Sequence, residues 1–336
     1  MDILEIDVAN RIDNSSVGKY PIGQREEVVG KIKTKAGLEA NFVYHMLSVA
    51  RCGYDNDYGK EFRGLHPKAD LDILKSNEKS ITVAGGEHCG ELYWHFVSIP
   101  ASLDSPAVDY YRSLGDLFRS GDAEKNARAY PDFYFSFLPG DEGMITKAVK
   151  NTLEKYAHLG REIVAMSGAM ERNYEIYRLN VWEKTQTVLA TYCSGVQALF
   201  DKDDVDERLE ALIGAQLEGT FTASFCNSVN GGAEAIDISK DQDIFGIGRS
   251  YEQAKNFICH EFVVYILKGL LFGETFPDFS LWKRFEALAE FYLGLAGLEV
   301  RMFAEEMKEI IAFYREERDR NPNATAVELF RASGQV

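Results

Sequence analysis

A chain of 336 residues with 46% apolar and 27% charged side chains is long enough for one large or two medium cores and has the composition of a soluble globular protein. Its 53 acidic against 37 basic residues leave a net charge of −16, which argues against a nucleic-acid partner and an anionic membrane surface. No apolar run spans a bilayer, residues 257–272 being interrupted by His260, Glu261 and Lys268.

Residues 1–7 are acidic and lack the basic and apolar regions of a signal peptide, so a cytoplasmic location is expected. The five cysteines (Cys52, Cys89, Cys193, Cys226 and Cys259) are scattered and odd in number, which suits free buried thiols rather than a disulfide framework.

In chain order, the first 33 residues read as β structure around a polar turn at 10–16. Apolar residues at helical spacing predict a helix over 37–51, ended by the loop 53–59, and 81–84 reads as a short strand before Gly85-Gly86. Residues 104–214 read as almost wholly helical, with apolar stripes over 107–119, 123–138, 142–155 and 182–200. The pattern then alternates over 220–226 and 233–238, and 243–248 is short and glycine-bounded. These three strands are expected to form one small sheet joined through the turn residues 227–232. Helices follow near 250–272, 279–295, 298–319 and 324–333, the last capped by Asn323 or Thr325. The expectation is an α+β, predominantly helical chain with a small mixed or antiparallel sheet. Its parts are an α/β segment over 1–100, a helical segment over 101–214, and a third region over 215–336.

The chemistry-bearing stretch is Cys259-His260-Glu261-Phe262-Val263-Val264, followed one helix later by Phe285-Glu286-Ala287-Leu288-Ala289-Glu290-Phe291. A zinc hydrolase needs two ligands one helical turn apart, because residues i and i+4 share a face. It also needs a glutamate beside the first ligand to take a proton from the metal-bound water. His260 and Glu261 meet that pattern on an apolar helix, but Val264 stands where the second histidine belongs.

The run 220–292 resembles the gluzincin branch of zinc metallopeptidases, whose second motif reads Asn-Glu-Gly-x-Ala-Glu-Tyr. The likeness lies at Glu286, Ala289, Glu290 and the aromatic Phe291, with departures at Val264, Phe285 and Ala287. The resemblance implies a zincin-like fold, zinc as cofactor, His260 and Glu286 as metal ligands, and Glu261 as general base. It also implies a peptide substrate or partner, with the strand near 233–238 edging a cleft where an extended peptide adds as a further strand. With two protein ligands instead of three, an inactive or impaired hydrolase is as well supported as an active one.

Residues 87–95, Glu87-His88-Cys89-Gly90-Glu91-Leu92-Tyr93-Trp94-His95, form a second cluster. If helical, they place His88, Glu91 and His95 on one face suited to zinc or iron. His88 or His95 could then supply the ligand missing at Val264, and Glu290 is a further alternative ligand. Two rival readings stay open: a non-enzymatic helical interaction protein, and a metal enzyme centred on residues 87–95.

Overall fold

The computed structural model describes residues 30–84, 88–130, 142–229, 236–239, 241–273, 279–298 and 304–335. The chain is predominantly helical, around a four-stranded sheet. Strand β1 (Ile32–Lys35) precedes helix α1 (Leu38–Ala50) and the shorter α2 (Asp57–Phe62), α3 (Lys68–Ser76) and α4 (Glu78–Ile81). A two-stranded ribbon, β2 (Val83–Ala84) and β3 (His88–Cys89), leads to a π-helical turn at Trp94–Ser98 and to α5 (Ile99–Ser102). Helices α6 (Ala107–Ser120), α7 (Ala123–Ala129), α8 (Glu142–Lys155) and α9 (Gly160–Tyr177) follow. A second π-turn, Arg178–Trp182, joins α9 to α10 (Glu183–Phe200), and α11 (Val205–Ile213) comes next. The remaining elements are β4 (Phe221–Cys226), β5 (Ile236–Ser239), β6 (Gln242–Gly246), α12 (Tyr251–Phe272), α13 (Phe279–Leu295), α14 (Ala304–Arg320) and α15 (Ala326–Ala332).

The sheet runs β1-β4-β6-β5. Strands β1, β4 and β6 are parallel, with Ile32 opposite Phe221 and Phe225 opposite Phe245, and only β5 runs antiparallel, against β6. This corrects the expected order of successive hairpins: β6 inserts between β4 and β5. Alternation in a sequence assigns side chains to faces, not strands to neighbours, and the 227–235 connection is longer than a tight hairpin turn.

Parallel strands are covered on both faces, and β4 follows that rule. Ile32, Phe221, Ala223, Phe225 and Phe245 join the core formed with α10 to α15, where the Phe221 ring meets Phe262 at 6.1 Å and Phe245 meets Phe257 edge-on at 5.4 Å. Cys226 and Ile244, on the opposite face, join the core built by α1 to α9. The sheet is thus the wall between two hydrophobic clusters, and Trp182 packs against both.

The helices expected over 37–51, 107–119, 142–155, 250–272 and 279–295 are present, as is the capping box of Thr325 and Glu328 that starts α15. The helix expected over 123–138 runs as α7 to Ala129, and 131–141 lie outside the described residues. The β structure expected before residue 30, Gly85-Gly86 and the turn at 230–232 also lie outside them. Residues 87–95 do not form one helix, because 88–89 is a strand and the π-turn begins only at Trp94. The common face proposed for His88, Glu91 and His95 therefore does not form. Among the described residues no helix is long and apolar enough to cross a membrane.

Candidate functional site

Helix α12 starts at a capping box: Ser250 Oγ accepts from Gln253 N, and Gln253 Oε1 accepts from Ser250 N. Its next four turns are buried nearly all round, against α13 and the sheet, and carry only Lys255, Asn256, His260 and Glu261 as polar residues. His260 sits in the middle of this helix and is only 2% exposed. On α13, Glu286 and Glu290 are one turn apart and share a face, which is the face packed on His260.

His260 Nε2 lies 3.0 Å from Glu286 Oε2, a hydrogen bond, while Nδ1 lies 3.5 Å from Glu290 Oε1, an ion-pair distance without hydrogen-bond alignment. The Phe257 ring stacks beside the imidazole, 18° from parallel. Burial by itself favours the neutral ring. The carboxylates of Glu286 and Glu290, with the charge of Glu261, outweigh it and hold the His260 pKa well above the usual imidazole range. The group is therefore an imidazolium between two carboxylates.

These residues do not fit a catalytic zinc. A metal takes one ring nitrogen, and Glu286 and Glu290 stand at opposite nitrogens, so either position offers one imidazole and one carboxylate. Val264, one turn on from His260, is a half-buried member of the apolar packing and adds no ligand. Glu261 is half-buried at the neighbouring position, and its charge acts on His260. Among the described residues no group of three His, Cys, Asp or Glu side chains is disposed to hold a metal ion.

His95 does not come to the aid of this site. It is buried in the other core against the Tyr156 ring at 5.1 Å. Burial, with a small contribution from the Lys155 charge, lowers its pKa to about 4, so it is a neutral packed ring. The side chain of His88 lies outside the described residues, and Glu91 pairs with His158 at 3.2 Å.

A polar constellation that the sequence reading missed lies in the first core. Tyr58 Oη and His45 Nδ1 are 2.7 Å apart, as are His45 Nε2 and His66 Nε2, and His66 Nδ1 and Asn173 Oδ1. Asn173 Nδ2 donates to Asp70 Oδ2 at 2.9 Å and to the Ala169 carbonyl at 2.7 Å. Arg172 donates to Asp70 through Nη2 at 2.6 Å and Nε at 3.2 Å. Burial pushes the His45 pKa well below the usual range, helped by the charge of His66. Burial also lowers that of His66, against the opposing effects of Asn173 and Asp70.

With both rings neutral, only one set of tautomers satisfies the chain. Asn173 Nδ2 is committed to two acceptors, so Oδ1 must accept from His66 Nδ1–H. His66 Nε2 then accepts from His45 Nε2–H, and His45 Nδ1 accepts from the Tyr58 hydroxyl. Every bond from the half-buried Tyr58 to the buried Asp70 carboxylate points the same way, and the exposed Arg172 donates to Asp70 from the far side. The only sequence signal was a histidine inside the apolar helix 38–50, a pattern that ordinarily marks core packing.

No family model, no curated protein and no solved structure matches the chain.

Proposed function

We propose that this chain is built on a metallopeptidase-like core without its metal, and that it holds a peptide or protein segment rather than cleaving one. The observation that carries the proposal is the arrangement around His260. A zinc-binding histidine typically has a carboxylate co-ligand near one ring nitrogen and a second carboxylate orienting the other. Glu286 and Glu290 occupy those two places, at 3.0 and 3.5 Å, and Val264 replaces the ligand that would complete the site. With a proton in place of the metal, the cluster becomes an internal ion pair that pins α13 to α12.

Two surfaces suit binding. Strand β5 ends the sheet, the position at which an extended peptide adds as a further strand. The outer face of α10 is the other: residues 185–200 carry no charge, in a chain that is 27% charged. There Gln186, Thr187, Ala190, Thr191 and Ser194 line a shallow open groove of about 450 Å³.

Metal analysis of the purified protein tests the reading. Wild type is expected to hold far less than one equivalent of zinc and to cleave no peptide, whereas Val264→His, one turn from His260, is expected to approach one equivalent. Stoichiometric zinc in wild type that is lost in His260→Ala overturns the proposal.

A further inference from the structure

The hydrogen-bond chain that begins at Tyr58 lies in the first core, apart from the His260 cluster, and its surroundings point to a ligand. Tyr58 spends its hydroxyl hydrogen on His45, so its oxygen remains an acceptor. Around it gather groups from the end of β4. Asn56, the N-cap of α2, donates through Nδ2 to the Ser228 carbonyl at 2.9 Å, which ties the segment after β4 to the helix that carries Tyr58. Asn227 N donates to Asn41 Oδ1, one helical turn before His45 on α1. The Tyr177 ring lies 4.6 Å from the His45 ring, and its phenol is within electrostatic reach of Tyr58 and Cys226.

Three polar atoms in this group have no hydrogen-bond partner among the described residues: Tyr177 Oη, Ser228 Oγ and Asn227 Oδ1. Tyr177 and Ser228 are fully buried. Buried hydroxyls are almost always paired, so two unpaired ones beside a third residue's free carbonyl oxygen call for a bound polar molecule. The place is also where one is expected in a parallel sheet, at the carboxyl end of its strands. The groups are hydroxyls, an amide and neutral imidazoles, with no cation to select an anion, so they suit a small uncharged molecule.

We propose that the carboxyl end of β4 binds a small neutral hydroxyl compound, whose hydroxyl donates to Tyr58 at the head of the hydrogen-bond chain through His45 and His66. Tyr177 and Ser228 hydrogen-bond the ligand. The ligand hydroxyl donates to Tyr58 Oη. That bond polarises the Tyr58 hydroxyl toward His45 Nδ1 and the His45 Nε2–H toward His66 Nε2, so a single contact at Tyr58 is felt along the chain to Asn173 and Asp70. His45 and His66 act through Tyr58 and are positioning residues, whereas Tyr58 meets the ligand.

Phenol and anisole, which differ in the hydroxyl hydrogen, are the probes. Their binding to the intact protein is followed by the ¹⁵N signals of the histidine side chains. Phenol is expected to bind about tenfold more tightly than anisole, the worth of one good hydrogen bond. It should move the His45 and His66 ring nitrogens together. In Tyr58→Phe, which removes one hydroxyl from a half-buried ring, the preference should fall to about twofold or less and the histidine response should vanish. A chain that serves only to hold the core together gives a different result: equal affinity for the two probes, or phenol binding that leaves the His45 and His66 signals unmoved. Either result, or no binding of phenol at millimolar concentration, overturns the proposal.

Discussion

Replacing His260 by leucine tests whether its cluster is a structural ion pair. The substitution keeps an apolar side chain of similar size in the middle of α12 but removes the cation from between two carboxylates, whose side chains are 9% and 8% exposed. Leucine burial contributes about 2 kcal/mol, a gain smaller than the electrostatic loss. Removing one partner of a buried pair typically costs about 3–5 kcal/mol, because the charge left behind is uncompensated.

The expected defect of His260→Leu is therefore about 4 kcal/mol at pH 7. The contribution of His260 also depends on pH. Because the folded-state pKa of His260 is raised, its contribution is fully present below the ordinary imidazole value of 6.5 and is lost as pH rises through the folded-state value. Urea denaturation followed by tryptophan fluorescence measures both, with Trp282 one turn before Glu286 on α13. The triple variant His260→Leu/Glu286→Met/Glu290→Met removes the whole cluster and is expected to come within about 1 kcal/mol of wild type. A single-variant defect below about 1 kcal/mol at pH 7, or a triple variant as unstable as the single one, refutes the reasoning.

Three further outcomes are expected. Cys52 and Cys193 are buried, and burial chiefly pushes both thiols up to about 12, while burial also raises Cys226 and Cys259. At pH 8 about one in 10⁴ of a thiol with that pKa is thiolate. Iodoacetamide should leave these four unlabelled in native protein and modify them in urea; rapid native labelling of any one contradicts its placement. Gly90→Ala places a Cβ 2.4 Å from the Ser80 backbone and should cost about 1–3 kcal/mol, whereas Gly64→Ala meets nothing within 4 Å and should be nearly neutral; thermal melts compare the two. Thr325→Ala removes the oxygen that accepts from Glu328 N at 3.2 Å and should lower stability by about 1 kcal/mol in the same assay.

What the sequence made legible was what it encodes locally. Helix α12 and the Glu286/Glu290 pair on α13 could be read because a helix converts spacing into a shared face, and the structure brings His260 and Glu286 to 3.0 Å. The sheet was legible only in part. The alternation of Phe221, Ala223 and Phe225 marked a buried face correctly, but the same alternation fits a parallel or an antiparallel neighbour. The order of strands rests on long connections that carry no periodic signal. Helix α9 went unmarked as an element of its own because it runs through a π-turn into α10, so no glycine or proline break separates the two.

The Tyr58 chain was beyond reach for a different reason. Its members come from α1, α2, α3, α9 and the turn before α3, and the His66–Asn173 bond spans 107 positions. Nothing in the neighbourhood of His45 separates a core histidine from one in a hydrogen-bond chain. The distinction is made by Asn173, whose amide is oriented by the Ala169 carbonyl and Asp70 and so fixes the proton on each ring in turn. A single remote amide sets the direction of the whole chain. Asn173→Asp replaces the donor at Nδ2 by an acceptor and faces Asp70 with a like charge, so it should disturb the tautomers of both histidines without touching either ring.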